Sequence, residues 1–353
     1  MGVEHQVLNL EPADLRGPVP AWELAVEAGV VPVVVIDGTG AEWEAAVAAA
    51  PHAWRELRAA PALTVAVVRD GQVWGAPAVA VHSCDVILEH DCDARLERLL
   101  ERLEGGAAPA LVAAMLLRDG DSRIANESFA YSMLLGGHDF GEWRRSTPAG
   151  AREEASNAPR VEIEETGIGA TIRLTRPQRH NAYDARMREQ LCDALDAVTA
   201  ARARTVVLLG AGPSFCSGGD LDEFGLATDP VSAHVVRTGR SVARRLDRIA
   251  DRLVVGVHGH CIGAGVELAA FGRAVIAAEG TQFVLPELAL GLNLGAGGST
   301  SIPRRIGRHR TLELLLTGAP LSAERAAEWG LVDELVPVPL LERRCLAVAA
   351  ELR

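Results

Sequence analysis

Two glycine-rich junctions and two glutamates are the residues of this sequence best suited to chemistry. Around Gly218 and Gly219, in GAGPSFCSGGD, no bulky side chain shields the main-chain amides, and in GAGVEL the amide of Ala264 sits at or near a helix N-terminus. A helix N-terminus carries unsatisfied N–H donors and the positive end of the dipole, so it favours oxygen bearing negative charge. Two such amides converging on one carbonyl form an oxyanion hole, in which each donor is worth on the order of 3 kcal/mol. Glycine turns also join strands to helices in most α/β folds, so neither cluster alone assigns a function.

The glutamates sharpen the reading. Glu267 lies in the first turn of a helix whose neighbours Val266, Leu268, Ala269, Ala270 and Phe271 are apolar. A carboxylate there is costly to bury without a partner or a purpose, the plainer alternative being that it complements the helix dipole. Glu287 follows an apolar strand and Pro286, a place where an acidic residue is as readily solvated as functional.

Strand, loop and helix recur around these residues. VEIEE and ATIRL flank a turn bearing Gly167 and Gly169 and signal a hairpin. Asp184 is placed to cap a helix whose stripe is Met187, Leu191, Ala194 or Leu195, and Val198. Thr205 to Leu209 is an apolar run of strand length, and a second amphipathic helix places Val235, Val242, Leu246 and Ile249 on one face. LVVGVHG is a buried strand leading into Gly263, Ala264 and Gly265; AVIAA and QFVL are further strands, before the turn GLNLGAGG and a closing strand near LVDELV. This alternation implies α/β architecture.

The N-terminal part alternates more faintly, with VVPVVVIDG and ALTVAVV as strands and Leu96, Leu99, Leu100 and Leu103 as a helix stripe. No glycine-rich turn joined to an acidic residue is found there, so it is assigned no chemistry. The polar stretch Ser146 to Pro159 reads as a linker, giving an N-terminal α/β unit at 1–145, a linker at 146–159 and a C-terminal unit at 160–353.

The whole chain narrows the partners. Its 353 residues, 48% apolar, suit two units, and the net charge of -12 with pI near 5.4 speaks against nucleic acid. There is no lysine, so a phosphate contact must be a guanidinium. The first residues have no basic and apolar signal pattern and no apolar stretch approaches the roughly 20 residues of a spanning helix, so a cytoplasmic protein without a membrane partner is expected. Six cysteines are scattered without a CxxC pair and read as free thiols. His82, Cys84, His90 and Cys92 have the right types for zinc, but their spacing matches no common site; they read as a strand and an acidic turn, and no metal is expected.

From about Ile172 to Val336 the sequence resembles the crotonase (enoyl-CoA hydratase/isomerase) superfamily, with motifs in the family's order. RLTRPQRHNAYDARM is similar to its opening element, FCSGGDLDEF to its first oxyanion loop, HGHCIGAGVELAAFGRAVIAAEGTQFVLPELALGLNLGAGGS to its central signature, and LTGAPLSAERAAEWGLVDELV to the segment that closes its core. The resemblance implies a spiral of repeated ββα units in the C-terminal unit, beside an additional N-terminal α/β unit of which residues 1–105 read as a reduced half of the same kind. It also implies that the Gly219 and Ala264 amides hold a thioester carbonyl and that Glu267 and Glu287 occupy the two acidic positions of hydratases. Contacts to the substrate would come from Ser217, Gly218, Asp220 and Leu221, with Ala182 at the pantetheine and Arg179 at a phosphate.

The implied reaction is syn addition of water to a 2-enoyl-CoA, or the reverse dehydration, with coenzyme A entering as part of the substrate and no separate cofactor. Glu287 is assigned as acid and Glu267 as the water-orienting base. Isomerase, thioester hydrolase and specialised dehydratase are alternatives within the family; a non-catalytic partner subunit is the alternative outside it. A homo-oligomer, trimer or hexamer, is implied.

Three departures stand out. Leu294 replaces the proline common before GAGG, Ala264 stands where glycine is usual, and the helical tail that usually follows the closing strand is missing. The stretch ANESFAYSMLLGGHDFGEWRR resembles that tail, so Ala108 to Arg145 is expected to pack in its place.

Overall fold

Buried on both faces, a parallel strand reads as a continuous apolar run, and VVPVVVID and LTVAV have that character. In the structure, a computed structural model describing residues 4–11, 30–37, 42–68, 83–89, 91–104, 106–118, 123–147, 158–167, 169–227 and 229–352, both runs are strands. β1 (His5–Leu10), β2 (Val31–Asp37), β3 (Leu63–Val67) and β4 (Val86–Leu88) form a parallel sheet in that order. Helices α1 (Glu42–Ala49), α2 (Pro51–Ala59), α3 (Cys92–Leu103) and α4 (Ala107–Arg118) complete the layer, α4 packing on β2 and β3. Of the expected leucine stripe, Leu99 and Leu103 are buried and Leu96 and Leu100 half-buried.

Asp85 ties this unit together. Its carboxylate accepts from the Thr64 amide and hydroxyl, both at 2.8 Å, and from Arg118 Nε at 2.8 Å. Cys84 and Cys92 are buried free thiols, and Cys92 Sγ donates to the Leu88 carbonyl at 3.1 Å. His82 and His90, which share their stretch of sequence, lie outside the described residues.

The second compact unit contains residues 120–307 and 318–353; the segment 308–317 packs with the first. Its larger sheet has β5 (Val161–Thr166), β6 (Gly169–Leu174), β7 (Thr205–Gly210), β8 (Leu253–Val257), β10 (Ala274–Ala278) and β13 (Glu334–Val336), in the spatial order β13-β10-β8-β7-β6-β5. β5 and β6 form the antiparallel hairpin that their glycine turn predicts, and the remaining neighbours are parallel. A smaller sheet joins β9 (His260–Ile262), β11 (Gln282–Val284) and β12 (Leu321–Ser322). Consecutive strands therefore alternate between sheets: β8 then β9, followed by helix α10 (Ala264–Ala269), and β10 then β11. The unit is mixed α/β.

Asp184 caps α7 (Ala185–Ala200) as its sequence position predicts, accepting from the Met187 amide at 2.7 Å, and Met187, Leu191, Ala194, Leu195 and Val198 are all buried. The second amphipathic helix differs from expectation. It is two helices, α8 (Pro230–Gly239) and α9 (Val242–Arg248), because Gly239 weakens the first and Ser241 starts the second by accepting from the Arg244 amide at 3.2 Å. Val242, Leu246 and Ile249 are buried, whereas Val235 is 60% exposed, so the four do not share one face.

The border between units also differs from the composition-based one. α5 (Arg123–Leu135) and α6 (His138–Ser146) pack within the second unit, α5 against α8 and α6 against the 3₁₀ turn Glu287–Leu290, so the division falls at 119–120. Residues 148–157 of the expected linker lie outside the described residues. Of the segment expected to replace the family's tail, α4 belongs to the first unit and only α5 and α6 to the second. Beyond the border, α11 (Gly298–Thr317), α12 (Ala323–Trp329) and α13 (Leu341–Glu351) complete the chain, and no described helix is long and apolar enough to cross a membrane.

Asp184 also accepts from Arg160 Nε and lies 3.2 Å from Arg176 Nη1, in a buried setting. Replacing Asp184 by Ala is expected to cost about 2–4 kcal/mol, a cap of about 1 plus the loss of a buried ion partner. Urea unfolding would measure it.

Candidate active site

A cavity of about 410 Å³ opens in the second unit. Its wall begins with the two glycine junctions. The loops that carry them run side by side, held by a β-bridge between Cys216 and Cys261. Gly218 has φ of 90° and lies so close to the second loop that a Cβ there would sit 3.0 Å from the Ile262 carbonyl oxygen. Gly263, with φ of 49°, turns the chain into α10, and Ala264 is that helix's first residue. Gly219 and Ala264 both line the cavity, and among the described residues neither amide donates to another protein group.

Three buried glutamates share the cavity wall, one more than sequence reasoning found. Glu267, 2% exposed in the first turn of α10, accepts on Oε2 from the amides of Gly295 (3.1 Å), Ala296 (2.7 Å) and Gly298 (2.8 Å). Glu127, on α5, accepts from the intervening amide of Gly297 (2.6 Å) and from the amide and hydroxyl of Ser299 (2.8 and 2.6 Å). Glu287 opens the Glu287–Leu290 turn, and its Oε2 is buried without a partner. Glu127 had a signal in its spacing: with Tyr131 and Leu134 it forms an inward stripe at helical intervals, and an acidic residue in such a stripe is conspicuous.

Burial drives the electrostatics. It pushes the Glu287 carboxyl up from an ordinary 4.5 to about 8, with the Glu127 charge adding to the effect. Burial also raises Glu267 well above the usual range, reinforced by Glu127 and Glu287 and opposed by the Ala296 and Gly298 amides. Glu127 is raised by burial and held back by Ser299 and Gly297. Like charges this close cannot all ionise, so the cluster holds protons at neutral pH.

Other polar groups complete the wall. Tyr131 faces the cavity, its phenol pushed up by burial and coupled to Arg237 and to all three glutamates. The Arg237 guanidinium lies 4.8 Å over the Tyr131 ring and donates to Ser132 Oγ. The Asn293 carboxamide, fully buried, has neither its nitrogen nor its oxygen partnered.

Of the residues singled out in the sequence, Glu267, Glu287, Gly219, Ala264, Ser217, Gly218, Asp220 and Leu221 line this cavity, while Arg179 and Ala182 do not. Two assignments change. The Asp220 carboxylate, 5% exposed, accepts from Arg176 Nη1 at 2.6 Å and Arg179 Nη2 at 3.3 Å, so it braces the loop instead of offering itself to a ligand. Arg179 lies outside the cavity lining, and its Nη2 donates to Asp220 and Asp222. Ser217 Oγ likewise donates to the Arg179 carbonyl at 3.3 Å.

Comparison with known proteins agrees with this geometry. The sequence profile of the enoyl-CoA hydratase/isomerase family matches residues 164–353, and the chain belongs to that family. It is 38% identical over 172 residues to the 1,2-epoxyphenylacetyl-CoA isomerase of Escherichia coli, covering 47% of this chain and 65% of that protein. To the 2,3-dehydroadipyl-CoA hydratase of the same organism it is 31% identical over 182 residues, covering 51% and 71%. The match thus spans just under two thirds of the first of these relatives. Among solved structures it is similar to the enoyl-CoA hydratases of Thermoplasma volcanium (TM-score 0.51, 30% identity, 55% of this chain and 78% of that one) and Bacillus anthracis (TM-score 0.50, 32% identity, 55% and 76%).

Two outcomes follow from the geometry. At Gly263 an added Cβ would lie 2.6 Å from Glu287 Oε1, in a backbone conformation that disfavours a side chain. Gly263→Ala is therefore expected to displace the Glu287 carboxyl and lower turnover about 100-fold, measured by steady-state kinetics. The Glu287 carboxyl binds its proton more tightly folded than unfolded, so between an ordinary 4.5 and about 8 the folded state holds the extra proton. Stability accordingly falls as pH rises through that window. Urea midpoints at pH 5 and pH 8 should drop less for Glu287→Gln than for the wild type.

Proposed function

We propose that this protein is an enoyl-CoA hydratase that adds water across the 2,3-double bond of an acyl-CoA thioester. One observation carries the reading: two glutamates in contrasting environments and two unengaged main-chain donors line a single cavity. The Gly219 and Ala264 amides would grip the thioester oxygen, drawing electron density from the β-carbon. Glu267, oriented by three amides on one oxygen, takes a proton from water as the water oxygen bonds to the β-carbon. The π electrons move toward the carbonyl as an enolate, and Glu287, protonated at neutral pH, delivers its proton to the α-carbon. The proton gained by Glu267 then returns to Glu287 through solvent before the next turnover. The unpartnered Glu287 Oε2 and Asn293 carboxamide supply hydrogen-bonding capacity for water and substrate.

A second reading is double-bond isomerisation; the 38% identity to the 1,2-epoxyphenylacetyl-CoA isomerase supports an isomerase of an acyl-CoA in general. It needs one carboxyl to move a proton and no water. The alternation of β8, β9 and of β10, β11 between two sheets supports a spiral of ββα turns as the frame for either reaction. Exposed Phe129, Met133, Val231 and Val235 on α5 and α8 support assembly as a homo-oligomer, and a cytoplasmic setting suits the six free thiols.

Crotonyl-CoA turnover by Glu267→Gln and Glu287→Gln separates the readings. Hydration requires both variants to lose about 100-fold or more of kcat, whereas loss in Glu287→Gln alone indicates isomerisation. For hydration the wild-type rate should decline above about pH 8 as Glu287 ionises.

A further inference from the structure

We propose that Glu127 is a positioning residue for Glu267, acting through the turn Gly295–Ser299 that both carboxylates grip. This rests on the reading of Glu267 as a catalytic group. The grip is interleaved along the chain: Gly295, Ala296 and Gly298 donate to Glu267, while Gly297 and Ser299 donate to Glu127. The two sets of donors interleave within five residues leading into α11, so the acceptor that holds one set also limits how the backbone carrying the other set can turn. Without Glu127 the amides of Gly297 and Ser299 would be buried and unmet, and the turn would rotate to find other acceptors. Such a rotation moves the three donors that orient Glu267.

The backbone has little intrinsic preference for this shape. Gly297 adopts φ of 101° and Gly295 and Gly298 lack side chains, so the conformation is set by its acceptors. Side-chain crowding confines it further: a Cβ at Gly295 would lie 2.6 Å from the Tyr131 ring and one at Gly298 2.6 Å from Glu267 Cγ. Tyr131 is one helical turn beyond Glu127 on α5, so a single helix presents both the acceptor and the ring that bound the turn. Glu127 is 2% exposed and, among the described residues, its hydrogen bonds go to the turn, whereas the Glu287 Oε2 has no partner among them.

The test compares Glu127→Gln and Ser299→Ala with wild type in the full-length protein. Gln keeps one acceptor oxygen and so cannot meet Gly297 and Ser299 together, and Ser299→Ala removes the hydroxyl bond to Glu127 while keeping the amide, so folding should survive both. With crotonyl-CoA, kcat should fall about 10–100-fold in Glu127→Gln and less in Ser299→Ala, with KM within about twofold. In the ligand-free protein the amide NMR signals of Gly295, Ala296 and Gly298, which do not touch Glu127, should shift. Unchanged signals in these amides, or shifted signals with wild-type kcat, would overturn the proposal. If the wild type fails to hydrate crotonyl-CoA the hydratase reading falls, and the ligand-free signals still decide whether Glu127 orients the turn.

Discussion

Everything in this site depends on one constraint: carboxylates buried in a cavity must be met by donors whose direction the backbone fixes. The amides from Gly295 to Ser299 meet that need for Glu267 and Glu127 together, at 2.6 to 3.1 Å. Hydrogen bonds to an ionised acceptor are about twice as strong as neutral ones, so a short glycine turn can offset much of the cost of burying charge. It also fixes where the carboxylate oxygens lie. The unusual Leu294 before this turn is consistent with the same logic: the residue is buried, and the donors that matter are those that follow it.

The same donors create an asymmetry between the two glutamates that line the cavity with the Gly219 and Ala264 amides. Glu267 is held by three N–H groups on one oxygen, while Glu287 keeps an unpartnered oxygen and a carboxyl raised to about 8. Burial raises both carboxyls, and among the described residues the main-chain donors that oppose the rise at Glu267 have no counterpart at Glu287 Oε2. Arg237 tempers the cluster from across the Tyr131 ring.

What was legible in the sequence was whatever local pattern determines. The β5–β6 hairpin, the Asp184 cap and the stripe of α7 follow from turn and periodicity rules, and Glu267 and Glu287 stood out through their neighbours and motifs. What escaped was long-range pairing. Glu127 meets its partners 170 and 172 positions away, so only its place in a helical stripe hinted at burial. Asp220 looks like a ligand group in isolation, but its carboxylate is paired with Arg176, and Arg179 pairs with Asp222. The α8–α9 break turns on a local capping choice at Ser241 that an apolar stripe overrides by eye, and the unit border follows packing where composition suggested the polar stretch after Ser146.

The family match begins at residue 164, yet the cavity does not. Ile124, Glu127, Ser128 and Tyr131 of α5 are part of its wall. α6 reaches the loop that carries Gly219: Arg144 Nη1 donates to the Leu221 carbonyl at 3.1 Å, and Trp143 meets Phe224 edge-on at 6.1 Å. On its other flank α6 approaches the Glu287 turn so closely that a Cβ at Gly291 would lie 2.3 Å from the Phe140 amide. One helix therefore braces the loop of Gly219 and the Glu287 turn while its neighbour supplies an acceptor to the turn that holds Glu267. The cavity thus belongs to the packed unit, 120–307 with 318–353, and a short helical pair that precedes the recognisable sequence is as much a part of its wall as the motifs that reveal it.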